Sequence, residues 1–343
     1  MGLRGYILKR LLNTLVLILF VITLNFIIFE LMPGVQGAIT NLAANPRAFE
    51  NQGEVQKLEK LYGLCQGFTA GGDCIPTSVW TRFTTYFVNM LTFQFGDSFQ
   101  TNQPVLHDMI TTGKLENTLL LLGTATTLSL LIGTLLGVVV ASKRGSVFDS
   151  GWVTTSLVTF SLPTFWMGLV FILVFAQTLK WFPPGDVTPA NWIQGLPPLP
   201  LQILGRLQHL FLPALTLTLF FYGGHLLLTR ATMLEALSED YITTARAKGV
   251  PERSVLFKHA LKNAALPLVT NAALAFGGIL SGAIITETVF NWDGLGLWIW
   301  QSIGFKDFPV MQAIFYIVAL AVIAANFISD LVYGILDPRI KYQ

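Results

Sequence analysis

A short basic run stands out in a chain that is otherwise poor in charge. Only 12% of the 343 residues are charged and 53% are hydrophobic. One stretch between two apolar segments nevertheless carries five cations: Arg246, Lys248, Arg253, Lys258 and Lys262. Basic side chains at this density bind complementary protein surfaces or lipid phosphates. The run therefore predicts a contact element, either for another protein or for the membrane surface.

The common catalytic motifs are missing from the sequence. There is no G-x-x-x-x-G-K-[ST] that would cradle a nucleotide phosphate, no H-E-x-x-H and no G-x-S-x-G. The four histidines are scattered, and His225 is interpreted as a helix-packing residue in preference to a proton relay. We therefore predict no catalytic residue and no metal site, and a chain that is not an enzyme.

Hydropathy places the basic run in a membrane protein. The mean hydropathy is +0.61, and six apolar runs approach the about 20 residues that a spanning helix needs. None shows the sustained alternation of a membrane β-barrel, and backbone hydrogen bonding in lipid then requires helices. The predicted fold is all-α and polytopic, one domain over residues 1–343 with six transmembrane helices, at 11–32, 117–141, 152–179, 207–229, 265–288 and 309–334.

The basic residues predict the orientation of these spans. Six spans put both termini on one side, and 13 of the 21 basic residues fall on that side. Of the remaining 8, five lie in one long loop, where charge has little effect on orientation. We predict a cell-membrane protein with cytoplasmic N- and C-termini. The first apolar run is too long for a signal peptide and no A-x-A site follows it, which predicts an uncleaved first span.

The longest polar segment, residues 33–116, is extracellular in this arrangement. Its aromatic content argues against disorder, so we predict a small folded cap between the first two spans, which either shields the pathway or docks an outside partner. Within it Cys65 and Cys74 flank the stretch "CQGFTAGGDC". Two cysteines without a nearby histidine make a poor zinc site, whereas the outer compartment permits a disulfide. We predict that disulfide, with two free thiols as the alternative.

The basic run itself predicts two short helices joined by a glycine. Ser238 can cap a helix with an acidic first turn, and Gly249 occupies the usual position after a helix end. Pro251 forbids continuation and begins a second helix, which runs to about Ala264 and meets Pro267 at the next span.

The first of these helices is predicted to carry short side chains on its surface. Tyr241 and Ala245 share a face, and Arg246 and Lys248 lie near the helix end. The short side chains of Ala245 and Ala247 keep the surface of the helix close to its backbone. Another protein can approach such a surface closely. This layout favours protein docking over simple lipid contact.

The stretch "DYITTARAKG", followed by "LP", resembles the EAA loop of binding-protein-dependent ABC importer permeases in its dipeptide/oligopeptide/nickel subfamily. The Glu-Ala-Ala of the general motif aligns with Thr243, Thr244 and Ala245, so the glutamate is absent. Similar matches run from end to end of the chain: "YILKRLLNTLVLILFVITLNFIIFELMPG", "ETVFNWDGLGLWIWQSIGFKDFPVMQ" and "SDLVYGILDPRIKY". The segment "CQGFTAGGDC" looks like an insertion relative to the usual pattern.

The resemblance implies a type I ABC importer transmembrane domain whose cytoplasmic loop, residues 235–264, is gripped by an ATPase. The chain would pair with a second homologous permease, two ABC ATPase subunits and an extracellular substrate-binding protein, in contact with membrane lipid and without nucleic acid. ATP and Mg would belong to the ATPases, and this chain would hold no cofactor. The implied coupling residues are Asp240, Tyr241, Thr244, Ala245, Arg246, Ala247, Lys248 and Gly249.

The resemblance implies di- or oligopeptides as substrates, with oligosaccharides or nickel as alternatives. Because the fifth span often lines the path in this family, the candidate path residues are Asn271, Ser281, Thr286 and Glu287, with helix packing as the alternative reading. An ion-gradient-driven secondary transporter is the alternative from another class. It would need intramembrane ionisable pairs and internal symmetry, and we find neither in the sequence.

Overall fold

The computed structural model describes residues 3–31, 65–69, 74–277 and 284–336. These residues are mainly helical, with one antiparallel hairpin of two short strands. The elements are α1 Leu3–Phe29, β1 Cys65–Phe68, β2 Cys74–Pro76, α2 Val79–Leu91, α3 Val105–Thr111, α4 Lys114–Ser142, α5 Val147–Ser161, α6 Thr164–Phe171, α7 Leu199–Leu237, α8 Asp240–Ala247, α9 Glu252–Ser254, α10 Leu261–Gly277, α11 Ile284–Val289, α12 Leu295–Phe305 and α13 Phe308–Leu336. π-Helical turns follow α6 at Ile172–Thr178 and α9 at Val255–Ala260, and a 3-10 helix covers Ala190–Gln194.

Four of the described helices are long and apolar enough to cross a membrane: Ile7–Phe29, Lys114–Ser142, Leu199–Leu237 and Phe308–Leu331. They correspond to the first, second, fourth and sixth predicted spans. A fifth candidate is the pair α5 and α6, which is bent by 99°. The fifth predicted span, 265–288, includes residues 278–283, which lie outside the described residues, so a sixth crossing stays a prediction.

The region predicted as the third span, residues 152–179, is bent between α5 and α6. Leu162 has extended backbone angles, and Pro163 follows it. A proline disfavours helical angles in the residue before it, which explains why the helix ends at this point. The apolar composition continues across the break, and composition alone therefore suggested one uninterrupted helix.

The contacts group the chain into two compact units: Met1–Leu11, Lys114–Leu297 and Ala321–Gln343 in the first, and Leu12–Gly113 with Trp298–Leu320 in the second. The core of the first unit is the pair α4 and α7. An added Cβ on Gly133 would lie 2.6 Å from the Cβ of His225, and one on Gly137 would lie 2.6 Å from the Cβ of Thr229. Glycines four residues apart let two membrane helices approach closely, and these two determine the distance between α4 and α7.

The second unit contains the described part of the predicted cap as far as Gly113. Asp307 accepts hydrogen bonds from Ser98 Oγ at 2.5 Å and from the backbone N–H of Gln100 at 3.2 Å. The Gln312 side chain donates to the carbonyl of Phe95 at 3.2 Å. These bonds hold the segment after α2 against α13, so this part of residues 33–116 is folded, while its side of the membrane stays a prediction.

Two further predictions concern the same segment. Cys65 is disulfide-bonded, but the side chain of Cys74 lies outside the described residues, so the pairing of these two cysteines stays a prediction. The stretch "EVQKLEKLYG" predicts a short helix that ends at Gly63, and it also falls outside the described residues.

Candidate functional site

Residues 240–254 form an elbow of two helices joined at a glycine. Gly249 has a φ of +73°, and its N–H donates to the carbonyl of Arg246 at 2.9 Å. The next N–H, of Val250, donates to the carbonyl of Ala245 at 3.2 Å. A left-handed residue after the last helical turn closes the helix in this way, and glycine adopts that conformation without strain. The predicted sequence of helix, glycine and helix is confirmed.

The start of α8 differs from the prediction. Ser238 ends α7, and its hydroxyl donates to the carbonyl of Glu235 at 2.7 Å. The residue before α8 is Glu239, whose side chain makes no capping bond. Because α7 continues to Leu237, only two residues separate the helices, and Ser238 is used at the end of the first. The predicted cap at Ser238 is therefore wrong.

The helix after the elbow also continues further than expected. α10 runs from Leu261 to Gly277 with Pro267 inside it. Membrane helices tolerate an internal proline because neighbouring groups can satisfy the freed carbonyl. Pro267 therefore does not separate the cytoplasmic segment from the next span.

The inner face of α8 is part of an apolar cluster. Ile242 is 0% and Ala245 is 8% exposed. They pack with residues at the ends of α4 and α7, on the π-helical turn and at the start of α10: Val138, Ala141, Met233, Ala236, Val255, Leu256, Ala260 and Ala264. Ala245 thus faces the interior, which corrects the prediction that it keeps the outer surface low. Since interiors are densely packed, α8 cannot shift without moving the ends of these helices.

The outer face of α8 carries the other predicted coupling residues. Asp240, Tyr241, Thr244, Arg246, Ala247, Lys248 and Gly249 are all exposed. The Arg246 guanidinium binds the carboxylate of Glu252, Nη2 to Oε1 at 2.7 Å and Nε to Oε2 at 3.2 Å. These hydrogen bonds lower the pKa of Glu252 and raise that of Arg246. Lys248, in contrast, makes no ion pair within the described part of the chain.

The predicted path residues that the structure describes lie on two helices, Asn271 on α10 and the adjacent Thr286 and Glu287 on α11. The Asn271 amide contacts Nδ1 of His225 at 2.8 Å, and His225 also packs against Gly133, which supports the helix-packing interpretation. Thr286 and Glu287 are 1% and 0% exposed. Ser281 lies outside the described residues. The assignment of these four residues to a path stays a prediction.

Glu287 caps the start of α12. Its Oε2 accepts the N–H groups of Gly296 at 2.7 Å and Leu297 at 3.0 Å, and Oε1 accepts the Thr118 hydroxyl at 2.7 Å. An added Cβ on Gly294 would lie 2.5 Å from Glu287 Oε2. The carboxylate therefore fastens the loop after α11 to the first turn of α4. Sequence reasoning missed this role, because Thr118 is 169 positions away along the chain.

A long-range ion pair was also missed by sequence reasoning. Arg230 on α7 binds Asp149 on α5 with two bonds, Nε to Oδ1 at 2.7 Å and Nη2 to Oδ2 at 2.8 Å. Asp149 also accepts the N–H of Gly145, at 2.9 Å. The turn between α4 and α5 is thereby tied to α7, one turn before the apolar cluster begins at Met233.

These elements define a multi-pass α-helical membrane protein with a helical elbow packed on the ends of its spans. Residues 133–342 match the family "Binding-protein-dependent transport system inner membrane component", and the chain belongs to this family. It is 35% identical to the oligopeptide transport system permease protein AppB of Bacillus subtilis over 98% of this chain and 99% of that protein. It is 37% identical to the di/tripeptide transport system permease protein DppB of Pseudomonas aeruginosa, over 77% of this chain and 82% of that protein. It is 34% identical to the dipeptide transport system permease protein DppB of Alkalihalophilus pseudofirmus, over 98% of this chain and 99% of that protein.

Proposed function

We propose that this chain is the permease subunit of an ATP-driven importer and forms half of the translocation pathway for di- or oligopeptides. Membership of a binding-protein-dependent transport family supports the permease role. The names of the relatives from Bacillus subtilis and Pseudomonas aeruginosa support peptides as the substrate class. The observation that carries the proposal is the elbow, whose inner face is packed on the ends of the spans and whose outer face is exposed.

In the proposed complex a second, homologous permease completes the pathway, two ABC ATPases bind ATP and Mg, and an extracellular binding protein delivers the substrate. The N- and C-termini of this chain are cytoplasmic, and the segment 33–116 lies outside. The elbow then faces the ATPases. The chain itself hydrolyses nothing and holds no cofactor.

The contacts of α8 suggest how the movement is transmitted. An ATPase that displaces the exposed face of α8 displaces Ile242 and Ala245 as well, because a helix moves as a rigid element. Both residues are packed against the ends of α4 and α7. Those ends shift with them, and the two membrane helices convert ATP-driven closure into a change of the pathway.

The charges of the elbow divide into two roles. Arg246 is held by Glu252, so we assign it to the shape of the elbow. Lys248 makes no ion pair within the described residues and is the cation assigned to an acidic or carbonyl partner on the ATPase.

The test is purification of the tagged chain from its native membrane in mild detergent, with cross-linking from Lys248→Cys. We expect a second permease and P-loop ATPases to copurify, and the cross-link to join this chain to an ATPase. Val147→Cys is the matched control, since Val147 is 91% exposed at the start of α5, after another interhelical turn, and it should cross-link far less. A chain that purifies alone, without an ATPase adduct at position 248, would contradict the proposal.

A further inference from the structure

An open groove lies beside the elbow, on the side of α4. Its volume is about 660 Å³. One wall is the membrane-spanning helix α4, and the other walls are the start of α9 and the π-helical turn after it. The lining residues are Leu135, Pro251, Arg253, Ser254, Phe257 and Lys258.

The groove combines apolar and basic side chains. Leu135 and Phe257 are 53% and 36% exposed, so both keep accessible apolar surface. Arg253 and Lys258 are exposed as well and have no ion-pair partner in the part of the chain that the structure describes. Among the described residues no acidic side chain lines the groove, and the neighbouring Glu252 is bound to Arg246. The groove therefore offers net positive charge next to apolar surface.

The groove reaches the candidate membrane span at Leu135, which lies inside Lys114–Ser142. Leu135 precedes the end of α4 at Ser142 by seven residues, which at 1.5 Å per residue is about 10 Å along the helix. Leu128, Leu131 and Leu135 are all exposed and follow one side of α4 at helical spacing, forming an apolar stripe that leads into the groove. A soluble partner does not reach this far into the hydrocarbon layer, whereas an acyl chain lies there naturally.

We propose that this groove binds an anionic phospholipid. The phosphate lies between Arg253 and Lys258, and one acyl chain runs past Phe257 along the stripe of Leu128, Leu131 and Leu135. Basic residues at the membrane boundary attract anionic headgroups, and long basic side chains reach such phosphates with their stems on apolar surface. The inference depends on the membrane-spanning character of α4 and not on the proposed substrate or partners.

This lipid would also contact the elbow. Pro251 and Ser254 line the same groove, and Val255, one residue further, is in the cluster that holds Ala245. Occupancy of the groove therefore stabilises the wall of the elbow that faces the membrane. The expected consequence is an importer whose ATP-driven activity depends on anionic lipid.

The test is native mass spectrometry of the full chain with its copurifying partners in mild detergent. Phosphatidylglycerol and phosphatidylcholine with identical acyl chains are compared as probes. We expect one phosphatidylglycerol to be retained in preference to phosphatidylcholine, and the preference to fall about tenfold in Arg253→Gln/Lys258→Gln, because both basic contacts are lost. Arg253→Lys/Lys258→Arg, which keeps both charges, should retain the lipid and shows that a loss is not caused by misfolding.

The matched control removes two cations elsewhere, in Lys9→Gln/Arg144→Gln, and should leave the preference unchanged. A photoactivatable phosphatidylglycerol with its reactive group in the acyl chain should label peptides that contain Leu131, Leu135 or Phe257. Equal retention of the two lipids, or equal loss in the control and the groove variant, overturns the proposal. Cross-linking of Phe257→Cys to a second permease in high yield would do so too, since a protein would then fill the groove.

Discussion

Arg246 and Glu252 face each other across the glycine of the elbow, with two hydrogen bonds of 2.7 and 3.2 Å. The pair joins the last turn of α8 to the first residue of α9. Both side chains are about half exposed, at 48% and 53%, and ion pairs of this kind contribute only about 0–1 kcal/mol. Its effect is therefore mainly to select one angle between the two helices, whereas the apolar cluster supplies most of the stability.

The left-handed glycine gives the first prediction. Gly249→Val should reduce uptake about tenfold or more while ATP hydrolysis and membrane insertion persist, because a β-branched residue at φ +73° costs about 1–2 kcal/mol and reopens the elbow. Uptake of labelled dipeptide and ATPase activity, both measured in proteoliposomes of the whole importer, check this expectation.

Two matched variants separate backbone strain from bulk. No atom would lie within 4 Å of a Cβ at position 249, so Gly249→Asn should retain most uptake, since asparagine tolerates the left-handed region. Gly151→Ala, in α5 and with equally open space, should behave as wild type. Normal uptake by Gly249→Val would show that the left-handed conformation is not needed.

The ion pair gives a prediction about pH. Glu252 has a lowered pKa, so its contribution to stability is complete above the ordinary carboxyl pKa and is lost only as the pH falls through the lowered value. The thermal stability difference between wild type and Glu252→Gln should be below about 1 kcal/mol and constant from pH 8 to pH 6. It should shrink only in more acidic buffer. If the stability difference between wild type and Glu252→Gln changed between pH 6 and pH 8, a group other than Glu252 would be responsible for the titration.

Local sequence patterns predicted the elbow, but they could not predict contacts between residues that are distant in sequence. Gly249 followed by Pro251 specifies a helix end and a new start within a few residues, and the structure contains both. The burial of Ala245 depends on Val138 and Met233, which are distant in sequence, so the outer position expected for it was wrong. Local patterns also did not indicate that Arg246 pairs with Glu252, six residues away, while its predicted role in coupling stays a prediction.

For the membrane spans, too, the local features were predictable from sequence and the features that depend on distant residues were not. Apolar composition located the four long helices that could cross a membrane, because hydropathy is a local property. It could not show the 99° bend after Leu162, where the angle is determined by the chain direction on either side of Pro163. Nor could it show which glycines are packed: Gly123, Gly133 and Gly137 look alike in sequence, and only the position of α7 distinguishes them.

The packed glycines give a third prediction. Gly137→Val should destabilise the first unit by about 1–3 kcal/mol, because its Cβ would lie 2.6 Å from the Cβ of Thr229 and 2.9 Å from the carbonyl oxygen of Leu226. Gly123→Val, on the same helix with nothing within 4 Å of an added Cβ, is the control and should change stability by less than about 1 kcal/mol. Thermal unfolding in detergent, followed by near-ultraviolet circular dichroism, measures both. Equal midpoints for the two variants would contradict the close packing of α4 on α7.

The fourth prediction concerns whether Glu287 is a path residue or a structural one. Glu287→Gln places an amide among three donors, the N–H groups of Gly296 and Leu297 and the hydroxyl of Thr118, and leaves at least one of them unsatisfied. The expected loss of stability is about 1–3 kcal/mol, measured by thermal unfolding of the purified chain. Peptide uptake should fall only in proportion to the amount of folded protein.

The neighbouring acid Asp293 supplies the comparison for Glu287. Asp293 lies in the same loop, pairs with Lys114 and has a side chain that is 49% exposed. Asp293→Asn should therefore cost less than about 1 kcal/mol, because exposed ion pairs contribute little. If Glu287→Gln retained full thermal stability but lost uptake, the carboxylate would act on the substrate rather than on the loop. If stability and uptake fall together, as the burial of Glu287 leads us to expect, the residue belongs to the framework that holds the first residues of α12 against α4.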